Sequence, residues 1–132
     1  MASIVLLMYE RKNPYSYWKH LIALMPTEKE CIIYWTDEEL DYLSKTSFTK
    51  DLVHNLNDNL DSFYRLHLKP IFDHYPNIFY GFTVDDFKWA MASFWSRGYW
   101  LDEDELFPTL VPFADMFNHH PSNESKVHLK SS

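Results

Sequence analysis

The residues best suited to chemistry lie near the C-terminus, between Pro112 and His119. Proline has its φ angle fixed near the helical value, so Pro112 predicts the start of a short helical turn. Such a turn places Asp115 and Asn118 on one side, because they are three residues apart. The apolar side would carry Phe113, Met116 and Phe117. A carboxylate, an amide and the backbone of His119 would then lie together, an arrangement that suits a small polar ligand.

This stretch resembles a known family. Residues Leu110–His119 have the sequence LVPFADMFNH, and the pair Ser96-Arg97 precedes them. Together they resemble the Asn-His segment of SET-domain protein methyltransferases, in the branch that includes the Rubisco lysine methyltransferase and the actin histidine methyltransferase. Taken alone, the segment is also compatible with a proline-started turn that packs its aromatic residues into a core.

The resemblance implies a cofactor and a set of roles. SET domains transfer a methyl group from S-adenosylmethionine to a side-chain nitrogen of a protein. By resemblance, the Asn118 side chain holds the amino-acid end of the cofactor and the His119 backbone its adenine. Arg97 would lie where cofactor and substrate meet, and Asp115 would face the substrate or brace the turn. No residue is assigned as catalytic, and Arg97 could instead interact only with the C-terminus of its own helix.

Composition limits the other possibilities. The 132 residues allow one domain, and 46% hydrophobic content with two glycines favours helices. A net charge of −7 argues against direct nucleic-acid binding. The lone Cys31 allows neither an internal disulfide nor a cysteine-based zinc site, which favours the cytosol or nucleus. No apolar run reaches membrane-spanning length, and a metal site at His119 and His120 lacks identifiable further ligands.

Capping signals predict the helices that must position this segment. We expect a first helix over Ser3–Arg11, and a second over Tyr17–Met25 that Ser16 caps. Trp18, Leu21, Ile22 and Met25 would form the buried side of this second helix. Thr36 and Glu39 form a capping box, so a third helix should begin at Asp37.

The longest helical pattern covers Thr49–Tyr75, and Pro70 should kink or break it near Lys69. Its predicted apolar face consists of Leu52, Leu56, Leu60, Phe63, Tyr64 and Leu68. His54, His67 and His74 lie along this stretch without the spacing of a metal site. We expect them to be surface or packing residues.

A further capping box, Thr83 with Asp86, predicts a helix over Val84–Arg97 that delivers Arg97 to the edge of the Asn118 site. Gly98 would end this helix in the left-handed conformation. The acidic stretch Leu101–Leu106 is either a docking rim for a basic substrate segment or a solvated loop.

The sequence also departs from the family pattern. It has no Gly-x-Gly cofactor loop, and only 13 residues follow His119, without the family's channel tyrosine. The triplet Tyr80-Gly81-Phe82 lies upstream of the site, and we do not assign Tyr80 a catalytic role. We therefore expect a mainly α chain with the helical insert at 1–95. Residues 96–132 would be the middle of an incomplete α+β SET core.

Two functions follow from this pattern. The first is a truncated S-adenosylmethionine-dependent protein-lysine or protein-histidine methyltransferase that is weakly active or inactive. Its partner would be a protein that presents a lysine or histidine. The alternative is a helical protein-interaction module without a cofactor. The sequence indicates no oligomeric state.

Overall fold

The computed structural model of the chain describes residues 1–43, 48–99, 108–112 and 114. These residues are mainly α-helical, as the sequence predicts. The elements, in chain order, are the helices α1 (Ala2–Lys12), α2 (Lys19–Ile22), α3 (Asp37–Leu43), α4 (Phe48–Phe63), α5 (Lys69–His74), α6 (Pro76–Phe79) and α7 (Val84–Arg97), followed by the strands β1 (Gly98–Tyr99) and β2 (Thr109–Leu110). One-turn 3₁₀ helices at Glu28–Glu30 and Ile32–Tyr34 connect α2 to α3.

Helices α1 and α7 pack along each other and form the centre of the core. In α1 the buried residues are Ile4, Leu7 and Met8, which recur at helical spacing. Helix α7 is buried over most of its length, from Phe87 to Phe94. Phe63, at the end of α4, stacks on Phe87 with 5.8 Å between ring centroids, so the long helix is joined to the same core.

Capping boxes fix where several helices begin. The Thr83 hydroxyl accepts from the Asp86 amide, and the Asp86 carboxylate accepts from the Thr83 amide at 2.8 Å. The same reciprocal pair joins Thr36 and Glu39 ahead of α3. Both boxes were predicted from the sequence and are confirmed. They form because each satisfies backbone amides that have no partner within the helix.

Pro70 is accommodated without a break. Residues Tyr64–Leu68 form a π-helical turn, in which the Lys69 amide bonds to the Tyr64 carbonyl. Proline lacks an amide hydrogen and its ring presses on the preceding turn, so a wider turn just before it relieves the conflict. The predicted break near Lys69 is thus absent, since the helical segments follow one another directly, and the predicted departure from regular α-helix is the π-helical turn Tyr64–Leu68.

Two details of the expected helices are corrected. Helix α2 covers only Lys19–Ile22, and the Ser16 hydroxyl accepts from the Trp18 amide at 3.0 Å in a turn before it. Trp18 is 42% exposed and does not belong to the buried face. In α4, Leu52 is 56% exposed, and Val53 takes the predicted core position one residue later.

Within the residues that the structure describes, no helix combines the length and apolar character needed to cross a membrane.

Candidate functional site

Of the four residues predicted to form the site, the structure describes Arg97. Asp115, Asn118 and His119 lie outside the described residues, and so does the acidic stretch Leu101–Leu106. The geometry of the site is therefore that of Arg97, of the strand ladder after it, and of the turn that leads towards Asn118.

Arg97 is the last residue of α7 and is partly buried. It lines a cleft of about 370 Å³ together with Trp95 and Ser96. The facing wall runs from Pro26 through the connection between the two 3₁₀ turns, and its members are Glu30, Cys31, Ile32 and Ile33. Helix α7 thus brings Arg97 to the wall of a concave surface, and its predicted place at the edge of the Asn118 site stays a prediction.

Glu30 brings a carboxylate to the same cleft. The backbone amide and the hydroxyl of Thr27 both donate to this carboxylate, at 2.6 and 2.9 Å, and lower its pKa. The charge of Arg97 lowers the pKa of Glu30 further, as a smaller contribution. Glu30 therefore remains ionised near neutral pH, and the cleft carries one charge of each sign.

The cleft also contains Cys31, whose thiol is not activated as a nucleophile. Its thiol is partly buried, and this burial raises its pKa, with a smaller contribution from the negative charge of Glu30. A thiol with a raised pKa is a poor nucleophile at neutral pH. Cys31 is therefore a packing residue of the wall. Among the described residues there is also no group of three potential ligands that could hold a metal ion.

Gly98 follows Arg97, and its role differs from the one expected. Its φ of −82° and ψ of 148° are extended, so the predicted left-handed helix end is wrong. A β-carbon at this position would lie 2.5 Å from the Phe94 carbonyl oxygen and 2.6 Å from the Pro108 β-carbon. Gly98 is required because the Phe94 carbonyl and the Pro108 ring both lie too close for a β-carbon, and it opens β1 directly after the helix.

Strands β1 and β2 pair antiparallel, with Gly98 opposite Leu110 and Tyr99 opposite Thr109. Beyond β2, the Ala114 amide donates to the Val111 carbonyl at 3.2 Å, which closes a turn with Pro112 at its second position. Pro112 therefore does start a turn, since its fixed φ suits that position. The Tyr99 hydroxyl donates to the Ala114 carbonyl at 2.6 Å and ties β1 to this turn.

These contacts hold the end of α7 next to the start of the Pro112 turn. A partly buried guanidinium beside a cleft suits a ligand with a carboxylate, because arginine can bind it through two parallel hydrogen bonds.

Sequence reasoning missed the opposite wall of the cleft, although the Thr27-x-x-Glu30 spacing is itself a capping-box signal. Tyr99 carried no sequence signal, because its hydrogen bond depends on strand pairing.

Comparison with known sequences and solved structures finds relatives of this chain. No protein-family model matches the sequence. The chain is 31% identical to the ribulose-1,5-bisphosphate carboxylase/oxygenase large subunit N-methyltransferase of Pisum sativum, over 97% of this chain and 26% of that protein. It is 32% identical to the actin-histidine N-methyltransferase of Gallus gallus, over 86% of this chain and 20% of that protein.

Solved structures agree with the sequence relatives. The crystal structure of the SET domain of LSMT bound to lysine and AdoHcy matches 89% of this chain and 27% of its own, with a TM-score of 0.65 and 28% identity. The form bound to methyl-lysine and AdoHcy gives a TM-score of 0.67. The chain thus spans about a quarter of the length of the Pisum sativum relative and of the solved SET domains.

Proposed function

Because the chain is related to the SET-domain protein methyltransferases of the Rubisco lysine methyltransferase and actin-histidine methyltransferase class, we propose that it serves S-adenosylmethionine-dependent methylation of a protein side chain. The observation that carries this proposal is the 31% identity over 97% of the chain. An alignment of that extent includes Arg97 as well as Asn118 and His119.

The proposed roles are divided among a few residues. The Asn118 side chain and the His119 backbone hold the cofactor, and the Arg97 guanidinium binds its carboxylate. Asp115 faces the substrate or braces the turn of Asn118. The described part of the site fits such a cofactor, since Arg97 is partly buried and opens onto the cleft with Trp95. When bound, S-adenosylmethionine supplies an electrophilic methyl group on a cationic sulfonium.

The contribution of this chain is then mainly positional. Residues that hold the two reactants in an attack geometry replace an encounter in solution by a pre-ordered complex, which removes much of the entropic barrier. No residue of the chain is assigned as a general base.

We further propose that residues 1–95 are the helical insert of a SET domain and that residues 96–132 are the middle of its α+β core. The short β1–β2 ladder directly after α7 supports this division. The sequence contains no Gly-x-Gly. A chain without that cofactor loop holds the cofactor through fewer contacts, so the 132 residues alone should be weakly active or inactive.

The proposed substrate is a protein that presents a lysine or a histidine. The relatives' names specify Rubisco for one group and actin for the other, and both acceptors remain open for this chain. We place the activity in the cytosol or nucleus, the compartments that the single cysteine favours.

The test is calorimetric titration of the purified chain with S-adenosylhomocysteine, beside Asn118→Ala. We expect binding by the wild type and at least about tenfold weaker binding by the variant, which corresponds to about 1.4 kcal/mol. The matched control is Asn55→Ala, which removes the same amide from an exposed position on α4 and should leave the affinity unchanged. A folded wild type that shows no heat of binding would contradict the proposal.

A helical interaction module is the second candidate, and one observation favours it. Four tyrosines are almost fully exposed: Tyr15, Tyr17, Tyr42 and Tyr80, at 92%, 87%, 92% and 89%. Tyrosine is enriched at protein interfaces, where its ring buries a large area at a small entropic cost. Binding of S-adenosylhomocysteine that depends on Asn118 would separate the two candidates in favour of the methyltransferase.

A further inference from the structure

Tyr99 occupies a distinctive place beside the candidate site. It lies two residues after Arg97, and its hydroxyl donates to the backbone carbonyl of Ala114, four residues before Asn118 in the sequence. We propose that Tyr99 is a positioning residue, which holds the Pro112 turn against the end of α7, next to Arg97. This inference rests on the proposed function, because it assigns Tyr99 to the same cofactor site.

The first support is that the backbone contacts in this region are few. Each strand of the β1–β2 ladder has two residues, paired as Gly98 with Leu110 and Tyr99 with Thr109. Such a short two-stranded ladder is marginal by itself in water. The chain beyond Leu110 therefore needs a further tie if it is to keep a fixed position beside the end of α7.

The Tyr99 hydroxyl supplies that tie. Its oxygen lies 2.6 Å from the Ala114 carbonyl oxygen, a short distance for this type of bond, and the contact is partly shielded from water. The same Ala114 closes the Pro112 turn through its amide. Ala114 is thus held at its amide by the Val111 carbonyl and at its carbonyl by the Tyr99 hydroxyl.

The second support comes from the other end of the connection. Gly98 allows Pro108 to lie so close that even a β-carbon would clash with it, so the backbone of β1 is fixed against the chain that enters β2. Arg97 precedes Gly98 directly and shares this fixed backbone. A ligand that Arg97 helps to bind benefits when this region is ordered before it binds, because less entropy is then lost on binding.

The experiment compares Tyr99→Phe with Tyr64→Phe in the full 132-residue chain. Each variant removes one hydroxyl that donates to a backbone carbonyl across the fold. In the control, Tyr64 donates to the Phe82 carbonyl at 2.9 Å, also in a partly buried place, and lies in the aromatic core. The two variants therefore remove the same kind of hydrogen bond. One bond is made by the residue two positions after Arg97, and the other lies in the aromatic core.

Three quantities are measured for each variant: the affinity for S-adenosylhomocysteine, the urea midpoint, and the amide exchange rate around Ala114. We expect Tyr99→Phe to weaken the affinity about fivefold, which is about 1 kcal/mol, and to speed amide exchange around Ala114. Tyr64→Phe should lower the urea midpoint by at least as much, yet leave the affinity and that exchange rate unchanged.

The outcomes separate this inference from the proposed function. If the wild type binds and Tyr99→Phe binds equally well, the positioning role is overturned while the proposed function stands. If both variants weaken binding in proportion to their loss of stability, Tyr99 is only a structural residue and the inference fails. If the folded wild type does not bind, the proposed function fails and the inference fails with it.

Discussion

The α1–α7 pair and the segment after α7 are ordered by different kinds of contact. In the helical pair, buried apolar side chains such as Met8 and Phe87 pack along two helices, and both are almost fully excluded from water. After α7, Leu110 still packs against the core, and the remaining order comes from individual contacts: the close approach of Pro108 to Gly98, the short ladder and the hydrogen bond of the Tyr99 side chain.

This difference has a consequence for how each region responds to change. Packing of many side chains distributes its free energy over a large area, so the core tolerates substitutions that conserve volume. A region held by a few specific contacts changes its geometry when one of them is lost. The candidate site belongs to the second kind of region and is supported by the first.

The largest effect should follow from Phe87→Ala. Phe87 is 1% exposed and stacks on Phe63, so its removal opens a cavity at the centre of the core. Truncation of a buried phenylalanine costs about 3–5 kcal/mol of unfolding free energy, a large part of the stability of a small domain. Urea denaturation followed by circular dichroism measures this loss.

The control for Phe87→Ala is Tyr80→Ala, in which the ring is 89% exposed. Its unfolding free energy should change by no more than about 0.5 kcal/mol. Equal losses in the two variants would show that Phe87 does not lie at the centre of the core.

An intermediate effect should follow from Gly98→Ala. The added β-carbon would meet the Phe94 carbonyl oxygen and the Pro108 ring, neither of which can turn away, so we expect a loss of about 1–3 kcal/mol. Because the strain falls between Arg97 and β2, the affinity for S-adenosylhomocysteine should fall as well. Denaturation and calorimetry measure the two effects.

Gly81→Ala sharpens this comparison. Gly81 has a φ of +72° and open space around it, so alanine there meets conformational strain of about 1–2 kcal/mol but no clash. It should lower stability without changing the affinity for S-adenosylhomocysteine. A normal affinity in Gly98→Ala would contradict the view that the close approach at Gly98 orders the site.

The smallest effect concerns pH and the link between α3 and α4. The hydrogen bond from His54, at 2.9 Å, and the one from Lys50, at 3.3 Å, lower the pKa of Asp37. A lowered pKa in the folded state means that this stabilisation is complete above the ordinary carboxyl value of 3.8 and is lost as the pH falls through the lowered value. Asp37→Asn should therefore melt slightly below the wild type at pH 7.

The difference in melting temperature between Asp37→Asn and the wild type should disappear once the pH lies below the lowered folded-state pKa of Asp37, where the carboxyl is protonated in both folded and unfolded chains. Asp41→Asn is the matched control, since Asp41 contacts the same Lys50 at 3.3 Å and has no His54 contact. A difference that stays constant as the pH falls from 7 into the acid range, down to acid unfolding, would exclude the titration of Asp37 as its cause.

Local signals predicted much of the helical part. The bounds of α7 and the Thr83 and Thr36 capping boxes follow from residues within one turn of each other, and the structure confirms them. The phase of α4 was predicted one residue out at its start, where Val53 rather than Leu52 is buried. Periodicity assumes a uniform helix, whereas tertiary contacts select which neighbouring position faces the core.

The candidate site was predicted less completely. The sequence indicated Arg97 at the end of α7, and the structure places it on a cleft. The roles of Asn118, His119 and Asp115 remain predictions. Glu30 was missed even though its capping-box spacing is visible, because nothing local shows that it faces Arg97 from a turn more than 60 residues earlier.

By itself the sequence determined where α3 and α7 begin and which family the chain resembles, because these depend on neighbouring residues and on motif spacing. Only the tertiary structure decided that Gly98 makes room for the Pro108 ring, that Pro70 is relieved by a π-helical turn and that Tyr99 reaches Ala114. Each of these depends on atoms brought together by folding, whose distances no local pattern specifies.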